Sequence, residues 1–114
     1  MNTSSIGRVG EDIACKYLRE NGYEILKRNY KGLHGEVDII ARKGRHLSFV
    51  EVKTRCNRNF GPGSDAVNFL KQKKIINTAQ KFLLQYDDYE EVSFDVCEVY
   101  TDERSINYIE NAFE

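Results

Sequence analysis

Residues 47–54 read LSFVEVKT. Leu47, Phe49, Val50 and Val52 are the bulky and β-branched residues that favour a pleated strand. Glu51 and Lys53 interrupt them. Side chains two apart on a strand share a face, so a carboxylate and an ammonium stand side by side on the face that carries Leu47 and Phe49. A core strand with two charges on its apolar face needs a group to compensate them.

The neighbouring segments show where such a group can come from. Lys43-Gly44-Arg45 is a tight turn, and EVDIIARK (36–43) before it reads as a second strand. YEILKRNY (23–30) reads as a first strand, joined to the second by the loop KGLHG (31–35). Connections this short predict an antiparallel meander. Upstream, Ser4 or Ser5 can cap a helix running to about Asn21, with an apolar side of Ile6, Val9, Ile13, Ala14, Tyr17 and Leu18. Gly22 stands where a helix stop favours a left-handed residue. Downstream, the loop TRCNRNFGPGS holds the only proline, Pro62. Ser64 or Asp65 then caps a second helix to about Tyr86, with a stripe of Ala66, Val67, Leu70, Ile76, Ala79, Phe82, Leu83 and Tyr86. EVSFDVCEVY (91–100) is a fourth strand with Val92, Phe94 and Val96 on one face, and SINYI (105–109) a short last one. This order predicts a single α/β domain over residues 1–114, with helices packed on a mixed sheet. The helical connection lets the fourth strand run parallel to a neighbour.

Composition narrows the class. The chain is 40% hydrophobic and 31% charged, which fits a globular rather than a disordered protein. No apolar run approaches the roughly 20 residues that span a bilayer, and MNTSSIGRVGEDIA lacks the charged start and apolar block of a signal peptide. No membrane contact is expected. Cys15, Cys56 and Cys97 form no CxxC pair, so reduced thiols and a cytoplasmic location are expected rather than a disulfide frame or a zinc site. Net charge is −1, but residues 1–86 carry 16 Lys+Arg against 8 Asp+Glu, and residues 87–114 carry one Arg against 10. Such a split permits a basic working face with an acidic back.

If the second and third strands pair through the Gly44 turn, Asp38 comes near Glu51. Facing carboxylates repel, and Lys53 or a divalent metal can relieve them. Glu11 lies on the apolar flank of the first helix, unlike Asp12, which shares a solvated face with Lys16 and Arg19. Glu11, Asp38 and Glu51 as metal ligands, with Lys53 beside them, suit phosphodiester hydrolysis: the metal polarises the phosphate and acidifies a water, and Lys53 orients that water or neutralises developing charge. A plain Glu–Lys ion pair on a solvated sheet face is the other reading of these residues.

The ordered set GRVGEDIACKYLRENGYEILKRNYKGLHGEVDIIA, FVEVKTR, FLKQKKIINTAQKFL and FDVCEV resembles the YraN-like family of small bacterial proteins with a predicted endonuclease domain. That family is similar to archaeal Holliday junction resolvases within the PD-(D/E)xK nuclease superfamily. The resemblance runs from about Gly7 to Ala112. It implies a restriction-endonuclease-like αβββαβ core and Mg²⁺- or Mn²⁺-dependent cleavage of DNA, branched DNA included. It places the superfamily's acidic residue at Asp38, its ExK at Glu51 and Lys53, and the helix glutamate of the resolvase-like branch at Glu11. It also implies a homodimer. Val37 stands where the superfamily's name has proline, and Ser93 where an arginine is expected ahead of FDV.

Arg55 and Arg58, in and after VKTR, and Lys71 and Lys74, three apart on the second helix, are expected to contact nucleic-acid phosphates. Glu36 shares the parity of Asp38 and can add a ligand. Asp95 is expected to be a structural hydrogen-bonding group, and His34 an exposed loop residue. The alternative to a nuclease is a non-catalytic nucleic-acid-binding accessory protein; a protein-interaction module using the acidic 87–114 segment is a third reading.

Overall fold

The computed structural model describes residues 3–55 and 67–114. Helix α1 (Thr3–Glu20) precedes strands β1 (Glu24–Lys31), β2 (Glu36–Lys43) and β3 (His46–Arg55). Helix α2 (Phe69–Leu83), β4 (Glu91–Tyr100) and β5 (Ser105–Phe113) follow. The strands form one sheet in the order β1-β2-β3-β4-β5. All neighbours are antiparallel except β3 and β4, which are parallel from His46↔Glu91 to Arg55↔Tyr100. Parallel neighbours need a crossover, and α2 lies in that connection. The αβββαβ core with one added strand is therefore as the sequence predicts, although β5 runs on to Phe113, beyond SINYI. No helix among the described residues is long and apolar enough to cross a membrane.

Tight turns follow from a few residues. Gly22 has φ +90°, Gly22 N–H donates to Arg19 O at 3.1 Å, and Tyr23 N–H donates to Leu18 O at 2.9 Å. This paired closure ends α1 and satisfies its last carbonyls. Gly44 adopts φ +61°, so that Lys43 and His46 pair across a two-residue turn.

The sheet is covered on both faces. Leu47 and Phe49 of β3 join Val37, Ile40, Ile75, Ala79, Phe82 and Val96 in a core beneath α2. Val50 joins Ala14, Cys15, Leu18, Ile39, Ala41, Cys97 and Val99 in a second core beneath α1. Strand β3 is therefore buried without a break from Leu47 to Glu51.

Several local expectations are corrected. Helix α1 already runs from Thr3, so Ser4 and Ser5 stand inside its first turn. Its buried line is Gly10, Ala14, Cys15 and Leu18, while Val9 is 41% exposed. Gly10 accounts for this rotation. A Cβ there would overlap Thr54 Oγ1 and lie 2.9 and 3.0 Å from Thr54 Cβ and Cγ2. The helix backbone thus rests directly on β3. In α2 the N-cap is Asn68, whose side chain accepts from Lys71 N–H at 2.8 Å. Its buried residues are Ile75, Thr78, Ala79 and Phe82; Leu70 is exposed and Ile76 half-buried. Cys56, Arg58, Pro62, Ser64, Asp65 and Ala66 lie outside the described residues.

The acidic segment after α2 is tied down. Arg42 meets Glu24 at 2.7 Å, Asp88 at 2.9 Å and Tyr86 Oη at 2.7 Å; Arg45 meets Asp88 at 2.7 Å and Glu90 at 3.1 Å. These partly exposed pairs contribute little each, but they orient the entry to β4.

Gly10 is expected to tolerate no side chain. Gly10→Ala should lower stability by about 1–2 kcal/mol by displacing Thr54, even though alanine favours a helix by about 1 kcal/mol. Gly7→Ala, with no atom within 4 Å of its Cβ, should stabilise by up to about 1 kcal/mol. Urea unfolding of both variants decides this; a stabilised Gly10→Ala would show that the close approach does not exist.

Candidate active site

The site begins with a fault in strand alternation. Val37 and Ile40 both belong to the core under α2, whereas Ile39 and Ala41 belong to the core under α1. Period-2 alternation therefore breaks between Val37 and Ile39. The regular β2–β3 ladder starts at Ile39↔Val50. Past it, the Val52 N–H donates at 2.8 Å to Asp38 Oδ2. On β1, Asn29 adopts φ +52° between the pairs Arg28↔Ile39 and Tyr30↔Val37, so the neighbouring strand changes course at the same level.

Two glycines fix the mouth. In the β1–β2 hairpin, Gly32 N–H donates to Gly35 O at 2.8 Å. A Cβ at Gly35 would lie 2.9 Å from Lys74 Cβ and 3.0 Å from Lys74 O, and one at Gly32 would lie 2.5 Å from Thr78 Oγ1. Only glycines allow the hairpin this close to α2.

Asp38 and Glu51 meet at the base of a cavity of about 550 Å³, whose lining also includes Glu11, Glu36, Lys71 and Lys74. Glu51 is only 4% exposed, and its carboxylate forms an ion pair with the ammonium of Lys71. Asp38 lies against Glu51 in the same cavity. Burial, then the Glu51 bond and charge, push the Asp38 carboxyl up to about 8, against a smaller downward pull from the Val52 N–H. Near neutral pH the two carboxyls therefore favour sharing one proton. Burial pulls Lys71 down, but its bond to Glu51 and the charges of Glu51, Asp38 and Glu36 outweigh this, and its net shift is upward. Lys53 moves the other way: burial lowers it, and the Lys71 charge lowers it further.

The remaining predicted residues take distinct places. Glu11 lines the same cavity from α1, its Oε1 3.6 Å from Arg28 Nη2. Lys53 is partly buried, in register with Glu98 on β4, and is not among the residues that line this cavity. Glu36 sits at the mouth in an ion pair with Lys31. Arg55 ends β3, its carbonyl accepting from Thr101 N–H at 2.9 Å. Lys74 lines the cavity and Lys71 reaches its acids, so both face inward from α2. Asp95 is structural: Tyr108 Oη donates to it at 2.6 Å and Asn111 N–H at 3.1 Å. Ser93 is buried beside His46 Nε2 at 2.7 Å and pairs in register with Ser48, three residues before Glu51. That is about 10 Å along the strand. An arginine missing at Ser93 thus does not open the acidic cluster.

These residues fit a divalent ion in a limited way. Asp38 and Glu51 are two adjoining oxygen donors that need a proton or a cation between them. Mg²⁺ is held by one or two carboxylates while it keeps several waters. Among the described residues no three His, Cys, Asp or Glu side chains come together as a ligand set; Glu11 shares the cavity without joining the pair.

The ion pair to Lys71 was not anticipated from the sequence, where this lysine reads as part of a phosphate-binding face. Its signal is Asn68: with the cap there, Lys71 falls in the first turn of α2, over the end of β3. Glu98, only 8% exposed and accepting from Asn107 Nδ2 at 2.7 Å, was also missed.

The family model described as "Uncharacterised protein family UPF0102" matches residues 10–99. A UPF0102 protein of Clostridioides difficile is 43% identical over 114 residues, covering 99% of this chain and 100% of that protein. One from Caldanaerobacter subterraneus is 42% identical over 120 residues, covering 99% and 98%. One from Legionella pneumophila is 36% identical over 114 residues, covering 98% and 97%.

The Asp38 shift predicts a pH dependence of stability. The folded carboxyl titrates at about 8, above its ordinary 3.8. The folded state therefore binds the extra proton between these values, and stability falls as pH rises through about 8. Asp38→Asn keeps the acceptor for Val52 and removes the titration. Thermal unfolding in EDTA should show the wild type losing stability from about pH 5 to about pH 9 while the variant stays flatter. Parallel curves would refute the buried, proton-sharing pair.

Proposed function

The chain belongs to the UPF0102 family, and we propose that this member hydrolyses DNA phosphodiester bonds with Mg²⁺ or Mn²⁺. The observation that carries the reading is the carboxyl pair. Asp38 and Glu51 come from adjacent strands, touch each other, and sit at the base of a cavity. Keeping two acids together where water is scarce costs stability, and a site that gathers a cation gives that cost a use.

In this reading Asp38 and Glu51 hold the ion, which would supply positive charge against the phosphate oxygens and acidity for the attacking water. The Val52 N–H fixes the Asp38 carboxyl. Lys53, two residues past Glu51 on β3, would add a positive charge near the ion against charge developing in the reaction. Lys71, now paired with Glu51, would offer its ammonium to a phosphate where an ion took its place on that carboxylate. Lys74 adds a second charge on the same wall, and Glu11 closes the cavity from the α1 side.

The Glu51–Lys71 ion pair also favours the second reading, a nucleic-acid-binding protein that does not cut. There Lys71 neutralises Glu51 permanently.

Asp38→Ala should lower Mn²⁺-dependent cleavage of DNA by about 10²-fold or more, the scale of losing a preorganised charge at a reacting centre, with DNA binding held within a few fold. Equal cleavage by the two proteins would remove Asp38 from catalysis. Lys71→Met should tighten Mn²⁺ binding about fivefold in calorimetric titration, because it removes a competing cation worth about 1 kcal/mol. If neither protein takes up Mn²⁺ while both bind DNA, the non-cleaving reading replaces the nuclease.

A further inference from the structure

We propose that the lip of the cavity is a platform for unpaired nucleobases, built from Leu33 at the tip of the β1–β2 hairpin and Phe69 and Leu70 in the first turn of α2. The proposal rests on the nuclease reading of the cavity and names its substrate class: single-stranded or locally opened nucleic acid.

Exposure carries the argument first. Four large apolar side chains among the described residues are more than half exposed: Leu33 at 90%, Leu84 at 89%, Phe69 at 71% and Leu70 at 65%. Two of these four line adjoining hollows, and Phe69 neighbours Leu70 in the first turn of α2. Leu70 lines the cavity that holds Asp38 and Glu51. Leu33 lines the adjoining hollow, and His34 and Lys74 line both. An apolar patch at the edge of a polar cavity marks a binding surface more than a folding accident.

Leu33 stands at the tip of a closed hairpin. The Gly32–Gly35 hydrogen bond closes it, and both glycines approach α2 too closely for a side chain.

Charge identifies the occupant. Helix α2 carries Lys71, Lys73, Lys74 and Lys81 and no acidic residue. Lys73 Nζ lies 4.9 Å from the centre of the Phe69 ring, which sets a cation against the exposed aromatic face. Lysines beside an exposed aromatic are the two halves of a single-strand site: ammonium groups follow the phosphates, and apolar faces take the bases. A paired duplex hides its base faces in the stack and would gain from the lysines alone. An anionic membrane would also meet lysines and leucines here, but it offers no ring faces to the exposed aromatic, and vesicle binding is therefore one outcome of the test.

The test compares wild type with a Leu33→Ser/Phe69→Ser double variant by fluorescence anisotropy in EDTA. The probes are a labelled single strand, a fully paired duplex and a duplex with splayed ends. Both residues are exposed, so the variant should fold. The expected result is a loss of about tenfold or more on the single strand and the splayed duplex, with a change of less than about twofold on the paired duplex. No loss, or an equal loss on all three, overturns the platform. So does a loss confined to anionic vesicles, or a change of molecular mass with oligonucleotide binding unmoved; these outcomes would assign the patch to a membrane or to another copy of the chain. Mn²⁺ titration and a cleavage assay on the same samples separate the two assignments. If the wild type takes no metal but the variant shows the selective loss, the nuclease reading falls and the platform stands. If the wild type binds metal and cuts while the variant binds every probe normally, the platform alone falls.

Discussion

Two carboxyl groups, on adjacent strands at the end of a buried sheet, set the terms for the rest of this molecule. An isolated buried carboxylate is several kcal/mol out of place, and a second one beside it adds repulsion. The fold resolves the conflict with local means. The pair shares a proton, the Val52 N–H orients Asp38, and Lys71 of α2 pairs with Glu51. Each of these is a departure from regular structure. The β2–β3 ladder stops short, a strand residue changes face, and a helix begins where its first turn covers the acids rather than where the apolar stripe would place it.

Backbone approach makes this arrangement possible. Gly10 lets α1 lie on Thr54, and Gly35 lets the β1–β2 hairpin lie on Lys74. The first contact carries Glu11 to one wall of the cavity, and the second carries Glu36 and His34 to the other. Both glycines lack positive φ, so their role is space, not conformational freedom. Larger side chains at either position would widen the gap between the elements that bring the acids together.

Much of the fold was legible because strands declare themselves by parity and turns. EVDIIARK and EVSFDVCEVY have the bounds of β2 and β4, and Gly22 and Gly44 stand where their turns need them. The proximity of Asp38 and Glu51 followed from counting across the Gly44 turn. What the sequence hid is the rotation of helices about their own axes. Val9 and Ile13 continue the apolar spacing of α1 as well as Ala14 does, and only the contact at Gly10 selects among the faces. In α2, Ile75 and Ile76 are equally apolar, and the face is decided by where Asn68 starts the helix. The same ambiguity concealed Lys71, because a lysine in a basic run looks solvated until the helix phase is known.

That phase also explains why two lysines serve one pair of acids. Lys53 stands on β3, where its neighbours in register and on the strand are Glu98 and Glu51. Lys71 comes from the first turn of a helix and is half exposed where it meets Glu51. Their pKa values separate accordingly: burial and the Lys71 charge depress Lys53, while the acids raise Lys71. Burial and a neighbouring ammonium weaken the hold of Lys53 on its proton, while the ion pair with Glu51 strengthens that of Lys71. The difference follows from which element carries each residue, a distinction that the tripeptide around Glu51 alone does not contain.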